Sequence, residues 1–155
     1  MPPHSTGRGF HRLEGRPTWL VSRVHARSSS LLSAGFEAFG DGLRSYHYRL
    51  LAALEERGPA SQAELGRMTG IDRSDVTGAL IELESRGSVK RAVDPDHKRR
   101  KVVTITPEGS ERLLQLDAIV DHVQDEFLAP LTVAQRRQFV ILMSRLADTR
   151  RSDET

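Results

Sequence analysis

The sequence contains no cysteine among its 155 residues. That absence excludes disulfide bonds, thiol nucleophiles, cysteine metal sites and thiol-based redox sensing. Long hydrophobic runs are also missing, because no apolar stretch approaches the length that a membrane-spanning helix needs. No signal peptide is apparent near Met1. We therefore expect a cytoplasmic protein.

Aromatic residues and net charge are both low, at 5% of the sequence and +2. The hydrophobic content of 37% can build a core of modest size, and we expect the chain to bury further apolar surface against a second copy. The length suits one compact domain, or one domain with helical extensions. Basic residues crowd positions 86–101 and acidic residues follow at 117–126. This uneven distribution indicates a nucleic-acid-binding segment more clearly than the total charge does.

Residues 60–106 carry the most informative pattern. Ser61 and Glu64 form a capping box that opens a short helix. Asp72 is placed as the N-cap of a second helix, and Gly87 as the left-handed residue that ends it. One face of the second helix is apolar, through Val76, Ala79, Leu80 and Leu83. Two short helices joined by a tight turn predict a helix-turn-helix, whose second helix enters a DNA major groove.

A β-hairpin is predicted directly after this second helix. Residues 89–93 and 101–106 are short β-branched runs, each suited to a strand. The turn between them opens on Asp94 and Pro95 and ends in basic residues. This pattern predicts a two-stranded wing with a positively charged tip.

Further helices are predicted on both sides of the winged segment. Pro17 begins one helix, a break follows at residues 40–42, and a second helix runs from about Leu43 to Arg57. After the wing, Thr106 caps a long helix whose apolar residues follow a 3-4-3-4 spacing. A last helix opens on the capping box of Thr132 and Gln135.

The first fifteen residues are rich in proline and glycine and predict a mobile tail. Its basic residues Arg8, His11 and Arg12 could contact DNA or a partner subunit. We favour a solvated terminus.

The middle of the chain resembles the MarR family of winged-helix transcription regulators. The resemblance covers roughly residues 50 to 110 and rests on an ordered set of short motifs, namely Ala63-Glu-Leu-Gly, Gly70-Ile, Leu83-Glu-Ser-Arg-Gly-Ser-Val, Asp94-Pro-Asp-His-Lys-Arg-Arg and Val103-Thr-Ile-Thr-Pro-Glu-Gly. Each motif alone is weak, whereas the ordered set is specific. It implies a mainly α fold with a winged helix-turn-helix and a helical dimerisation domain.

The resemblance also implies a division of the chain. Residues 43–106 would form the DNA-binding domain, and residues 16–42 with 107–150 the dimerisation region of a homodimer. A monomeric bundle is the alternative. The implied function is a ligand-responsive repressor that binds a pseudo-palindromic operator.

The DNA-binding residues are expected in three groups. Phosphate contacts are expected from Ser61 and Gln62, and wing contacts from Lys98, Arg99 and Arg100. The start of the recognition helix points into the groove, with Arg73, Ser74, Asp75, Thr77 and Gly78. Arg73 could bond a guanine or only a phosphate. The basic run at the wing could also be no more than a solvated hairpin.

Three positions depart from the family pattern. Gly78 stands where many members carry arginine, which should weaken DNA contact. Asp75 replaces a small hydroxyl residue or proline. It could accept a bond from cytosine, although a first-turn helix carboxylate is our preferred interpretation. His97 stands where members usually have the aspartate that braces the wing arginine.

A small aromatic or phenolic ligand is implied by the family, in a cleft between the dimerisation helices and the winged helix. The corresponding stretches contain aromatic and cationic side chains suited to an aromatic acid, namely Trp19, Arg23, His25, Arg27, Tyr46, His47 and Tyr48. For each aromatic residue by itself, a place in the core is the favoured interpretation. For Tyr46 to Tyr48 as a group, the two interpretations are balanced.

Other classes of protein are disfavoured. The histidines are scattered without paired spacing, so we expect no metal sensor and no cofactor. The sequence has no phosphate loop and no nucleophile elbow, so we expect no enzyme. The alternative function is a winged helix that binds proteins, or an architectural DNA-binding module without sequence preference or effector. The basic wing argues against a purely protein-binding role.

Overall fold

The computed structural model describes residues 12–148. Its elements in chain order are α1 (Pro17–Phe39), α2 (Ser45–Arg57), β1 (Ala60–Ser61), α3 (Gln62–Thr69), α4 (Arg73–Ser85), β2 (Val89–Val93), β3 (Lys101–Ile105), α5 (Pro107–Phe127) and α6 (Val133–Ala147). The prediction of a mainly α winged helix-turn-helix is confirmed. Arg8 and His11 of the predicted tail, and the last two positions of the predicted region 107–150, lie outside the described residues.

The predicted helix boundaries rest on capping bonds. The Ser61 hydroxyl accepts a bond from the Glu64 N–H at 3.2 Å, and the Glu64 carboxylate accepts one from the Ser61 N–H at 2.8 Å. Thr106 caps α5 through the Gly109 N–H at 3.0 Å. Gly87 follows α4 with φ of +73°, the left-handed conformation expected of it. These local signals therefore placed the ends of the helices correctly.

Two local predictions differ from the structure. The second helix begins at Ser45 rather than near Leu43, whose N–H bonds the Gly40 carbonyl at 3.0 Å in the preceding turn. Asp72 occupies the N-cap position of α4, but its side chain makes no capping bond. Its backbone carbonyl accepts the Val76 N–H at 2.9 Å, so the helix begins there without that side-chain bond.

The sheet has three antiparallel strands in the order β1-β3-β2. The two predicted wing strands pair as a hairpin, with Val89 opposite Ile105 and Arg91 opposite Val103. The third strand, β1, was not predicted. It pairs Ala60 with Val103 and Ser61 with Val102, just before α3 begins. A two-residue strand has too few positions to show an alternating pattern.

The buried core lies mostly in the winged helix. Its largest fully buried side chains include Leu43, Leu50, Leu51, Leu54, Leu65, Leu80, Leu83, Val76, Val89 and Val103. Helix α5 adds one buried face, including Leu116 and Val120, and packs along α1. A Cβ at Gly35 of α1 would lie 2.8 Å from Val123 Cγ2, so the glycine allows this close approach.

One turn, at Asp41, connects helices α1 and α5 with the winged helix. Asp41, between α1 and α2, has a positive φ of 51°. Its carboxylate lies 3.7 Å from Arg86 at the end of α4 and 3.6 Å from Arg112 on α5. Arg86 also donates to the Asp41 carbonyl at 2.8 Å and to the Glu82 carboxylate at 2.7 Å. Elements α1, α4 and α5 therefore meet at Asp41.

Candidate DNA-binding surface and ligand cavity

Helix α4 buries one face and exposes the other. Val76, Ala79, Leu80 and Leu83 pack inwards. Arg73, Ser74, Asp75 and Gly78 are exposed, and Thr77 is half-buried beside them. The predicted groove residues therefore lie together on an accessible side of the second helix of a helix-turn-helix, where DNA could approach.

The two helices of the motif are bonded to each other at this surface. The Gln62 side-chain amide donates to the Thr77 hydroxyl, which itself donates to the Arg73 carbonyl at 2.9 Å. Gln62 is therefore engaged with α4 rather than fully free for a phosphate. Ser61 is likewise engaged in capping α3 through its hydroxyl oxygen.

The wing tip is a tight turn with two unpaired cations. The His97 carbonyl accepts the Arg100 N–H at 2.9 Å, which turns the chain at Lys98 and Arg99. Both side chains are exposed, and neither makes an ion pair or side-chain hydrogen bond within residues 12–148. Their charges are therefore available to an anionic partner.

Arg100 differs from its two neighbours. Its guanidinium lies 2.5 Å from the Glu64 carboxylate in the first turn of α3. The bond from the Ser61 N–H, together with this arginine, lowers the pKa of Glu64 to about 2. Glu64 therefore stays ionised and serves both the helix cap and the wing. Because this brace runs from the wing to the helix-turn-helix, it holds the tip in place near α4.

A second ion pair joins the base of the wing to α4. Arg91 on β2 holds the Glu84 carboxylate in two bonds of 3.0 and 3.2 Å. This contact lowers the pKa of Glu84 and raises that of Arg91. This bidentate pair neutralises the negative charge of Glu84 near the base of the wing.

A cavity of about 480 Å³ lies between α1, α2 and α5. Its apolar wall includes Leu32, Val120, Val123 and Phe127. Its polar wall includes His25, Ser28, Ser29, Ser33, Ser45 and Gln124. A mainly apolar cleft with a few polar groups is typical of a small-molecule site.

Two of the predicted ligand residues, His25 and Tyr48, line this cavity. The Tyr48 hydroxyl donates to the Asp117 carboxylate at 2.8 Å. Burial, followed by this bond, raises the pKa of Tyr48 to about 12. The phenol therefore stays protonated, and its proton is already held by Asp117.

The other predicted residues of α1, apart from His25, have different neighbours. Arg27 donates to the Phe127 and Glu126 carbonyls at 2.7 and 3.2 Å and lies over the Phe127 ring. It thereby binds the free carbonyls at the end of α5. Arg23 lies 5.7 Å from the ring centre of Trp19 nearer the start of α1, and neither lines the cavity between α1, α2 and α5.

The remaining two predicted ligand residues are also separated from that cavity. His47 is only 4% exposed, and its Nδ1 accepts the Arg44 N–H at 2.9 Å. Burial lowers the pKa of His47, so the imidazole tends to stay neutral. Tyr46 lines a different hollow of about 410 Å³ with Phe36 and Leu43. The Tyr46 and His47 rings contact each other, with their centres 4.5 Å apart, and both line another hollow beside Asp75 and Gly78 of α4. Tyr48 is separated from them in the cavity on α5.

Some site residues were missed from the sequence. The serines at 28 and 29 interrupt the apolar face of α1, and this interruption was the signal that a polar cavity wall faces α5. The brace between Glu64 and Arg100 joins residues 36 positions apart, and no local pattern reveals such a pair. Among the described residues, no group of three histidines and carboxylates is arranged to hold a metal ion.

Similarity to known proteins agrees with this geometry. The model of the MarR family matches residues 41–100, from the turn before α2 to the tip of the wing. A crystal structure of a probable transcriptional regulator from Pseudomonas aeruginosa is 31% identical, with a TM-score of 0.76 over 87% of this chain and 99% of that one. The chain belongs to the MarR family.

Two further relatives extend the similarity beyond the winged helix. The transcriptional repressor NicR of Pseudomonas putida is 25% identical over 84% of this chain and 81% of its own length. The PcaV transcriptional regulator of Streptomyces coelicolor, solved in complex with its natural ligand, is 27% identical. Its TM-score is 0.72 over 88% of this chain and 95% of that one.

Membership of the MarR family makes this protein a DNA-binding transcription regulator with a winged helix-turn-helix, a family of regulators and not of enzymes. Within residues 12–148, no helix combines the length and the apolar character that crossing a bilayer requires. Cytoplasmic localisation stays a prediction.

Proposed function

We propose that this MarR-type regulator is a homodimeric repressor that binds a pseudo-palindromic operator and is released by a small aromatic or phenolic ligand. The observation that carries the DNA-binding part is the pair of unpartnered cations at the wing tip, Lys98 and Arg99, together with the exposed side of α4. The similarity to the repressor NicR supports repression over activation.

Exposed apolar side chains support the homodimer. Helix α6 contributes no buried residue, although Val140, Ile141, Leu142 and Leu146 are each about half exposed or more. Helix α1 adds Leu20, Val21 and Val24. Several large exposed apolar side chains on two helices indicate an interaction site, and a second copy of the chain would cover both helices. Two copies of α4 would then meet successive major grooves of one operator.

The cavity between α1, α2 and α5 supports ligand response. It adjoins both the proposed dimerisation helices and the winged helix, so a bound molecule could change the angle between them. The ring of Phe127 and the apolar side chains of Val120 and Val123 suit an aromatic ring, and the serines suit its polar substituents.

The DNA-binding proposal is tested by selecting binding sites from random duplexes at moderate salt. Recovery of an inverted repeat, with half-sites about one helical turn apart, is the expected result. Binding without sequence enrichment would point to an architectural DNA binder. Failure to bind DNA would favour a protein-binding winged helix instead.

Salt dependence tests the electrostatic part. If the dimer neutralises roughly eight phosphates, the logarithm of affinity should fall against the logarithm of salt concentration with a slope of about −7. Arg99→Ala should weaken binding to all sequences and reduce that slope. Arg16→Ala, at the exposed start of α1 and outside the winged helix, is the matched control. Unchanged affinity in the Arg99 variant would contradict the role of the wing.

Ligand response is tested by screening aromatic acids and phenols for a shift in both melting temperature and operator affinity. Ser29→Trp should fill the cavity and abolish both shifts. Ser30→Trp is the control, because Ser30 is exposed and does not line the cavity. A ligand whose effect survives in the Ser29 variant must bind elsewhere.

A further inference from the structure

Helix α4 is poor in basic residues: no arginine or lysine follows Arg73 within the helix, which also carries the carboxylates Asp75, Glu82 and Glu84. After Arg73 the exposed side continues through Ser74, Gly78, Ile81 and Ser85, with Thr77 half-buried among them. The next arginine, Arg86, is engaged with Glu82 and Asp41. Charged contacts from α4 to base edges are therefore confined to the first turn of the helix.

Thr77 has little hydrogen-bonding capacity left for a base. Its single hydroxyl proton goes to the Arg73 carbonyl, and one of its lone pairs accepts from Gln62. It cannot donate a bond to DNA while this arrangement lasts. Besides one remaining acceptor lone pair, Thr77 can offer DNA its methyl.

Ile81 lies one turn further along the same side of the helix, since positions four apart are neighbours on a helix surface. Its side chain is 54% exposed. Gly78 lies between the two, and a Cβ there would meet no atom within 4 Å. Thr77 and Ile81 thus form an apolar strip beside an open space that no side chain fills.

The surroundings of this strip permit close approach to DNA. Glu84, three residues beyond Ile81, is held by Arg91 in a bidentate pair. Glu82 is held by Arg86. The charges of both carboxylates are therefore offset as phosphates approach. Asp75, in the first turn of α4, lines a hollow at Gly78 together with Glu82. A single exposed isoleucine is ordinary on a protein surface. This one is distinguished by its place on the recognition helix between the wing base and Arg73.

Major-groove edges of base pairs offer one apolar group, the 5-methyl of thymine. We propose that Ile81, together with the methyl of Thr77, reads a thymine methyl in each half-site of the operator. This inference rests on the proposed operator binding and assigns it a specificity-determining residue. The open space at Gly78 is what lets the base edge come close to both side chains.

The test uses the operator recovered from random duplexes. Each thymine of a half-site is replaced in turn by deoxyuridine, which removes only the 5-methyl group. Wild-type protein should lose affinity about 4-fold at one position in each half-site, the factor expected for burying one such apolar group. Ile81→Ala should lose most of this dependence on the thymine methyl and approach the wild-type affinity for the uracil duplex.

Ser85→Ala is the control, because it also changes the exposed side of α4 but should leave the preference for thymine intact. Ile81→Val should retain most of the preference. If no uracil replacement changes the affinity for the operator, the proposed role of Ile81 is overturned while the proposed operator binding stands. Uracil sensitivity that persists in Ile81→Ala would also overturn it. Absence of any selected sequence would overturn the proposed operator binding, and this inference with it.

Discussion

The winged-helix segment buries most of its apolar residues within the chain, whereas the last helix leaves its apolar residues partly or fully exposed. Helices α2 and α4 each bury four side chains within the chain, whereas α6 buries none. Helix α1, with 23 residues, buries only Phe36. Helix α5 is intermediate, because one of its faces packs on α1 and α2.

This difference indicates which part of the molecule can be stable by itself. Burial of apolar surface is the main favourable term in folding, at about 25 cal/mol per Å². The winged helix gains that term from contacts within one chain. Most of α1 and all of α6 do not, so their order should depend on a second copy. The DNA-binding unit and the helices proposed to pair two copies are therefore different parts of the chain.

The largest expected effect comes from the winged-helix core. Leu80→Ala should reduce the free energy of unfolding by about 2–5 kcal/mol, because Leu80 is fully buried and the change leaves a cavity. Urea titration followed by circular dichroism measures it. Met68→Ala, at a position 46% exposed, is the control and should cost far less. Equal losses in the two variants would mean that the core does not lie where α4 packs.

The second prediction concerns the proposed dimer. Leu142→Glu should raise the dimer Kd roughly 100-fold, or by about 3 kcal/mol, because it would place a charge in an apolar interface. Sedimentation equilibrium gives the oligomeric state. Met68→Glu is the matched control, since Met68 and Leu142 have similar exposures of 46% and 48%. A Leu142 variant that remains as dimeric as the control would contradict the proposed use of α6.

The third prediction compares two glycines within helices. Gly78→Ala should stabilise the protein by about 1 kcal/mol, because a methyl there meets nothing and alanine favours a helix. Gly109→Ala should destabilise it, since a Cβ there would overlap the Ser88 carbonyl where α5 meets the winged helix. Thermal melts of both variants check the signs. Stabilisation by Gly109→Ala would show that this junction is looser than described.

The smallest effect is expected from pH. The pKa of Glu64 is lowered to about 2, so its contribution to stability is fully present above the ordinary value of 4.5 and is lost as the pH falls towards 2. Carboxyl titration by NMR measures this pKa directly. Arg100→Ala should raise it only part of the way, because the Ser61 N–H is the larger cause.

Arg99→Ala is the control for that titration, since Arg99 has no ion pair within the described chain. It should leave the Glu64 pKa unchanged. A wild-type midpoint near 4.5 would show that the brace between wing and α3 is not formed in solution.

The sequence predicted those parts of the fold that depend on local contacts, such as helix caps and the glycine that ends α4. The contacts that end the helices involve residues close together in the chain, so short motifs predicted them. Examples are Ser61 with Glu64, Thr106, and Gly87. The β-branched runs predicted the two wing strands for the same reason. The strand at Ala60 and Ser61 was not predicted, because its partner Val103 lies more than 40 positions away.

The predicted ligand residues show the limit of such reading. Tyr46, His47 and Tyr48 are adjacent in the chain, yet consecutive helical residues point about 100° apart. One lines the cavity on α5, one is buried, and one faces another hollow. Sequence proximity on a helix therefore could not show which of them share a site.

Local interactions let the sequence alone determine the helix ends, the wing hairpin and the family. Tertiary structure decided which charges remain free, because Arg100 is held by Glu64 while Lys98 and Arg99 are not. It also decided that the Gln62 amide bonds the Thr77 hydroxyl. The Thr77 methyl and the exposed side chain of Ile81 remain on the outer side of α4. Those outcomes depend on contacts between distant residues, which only the packed chain creates.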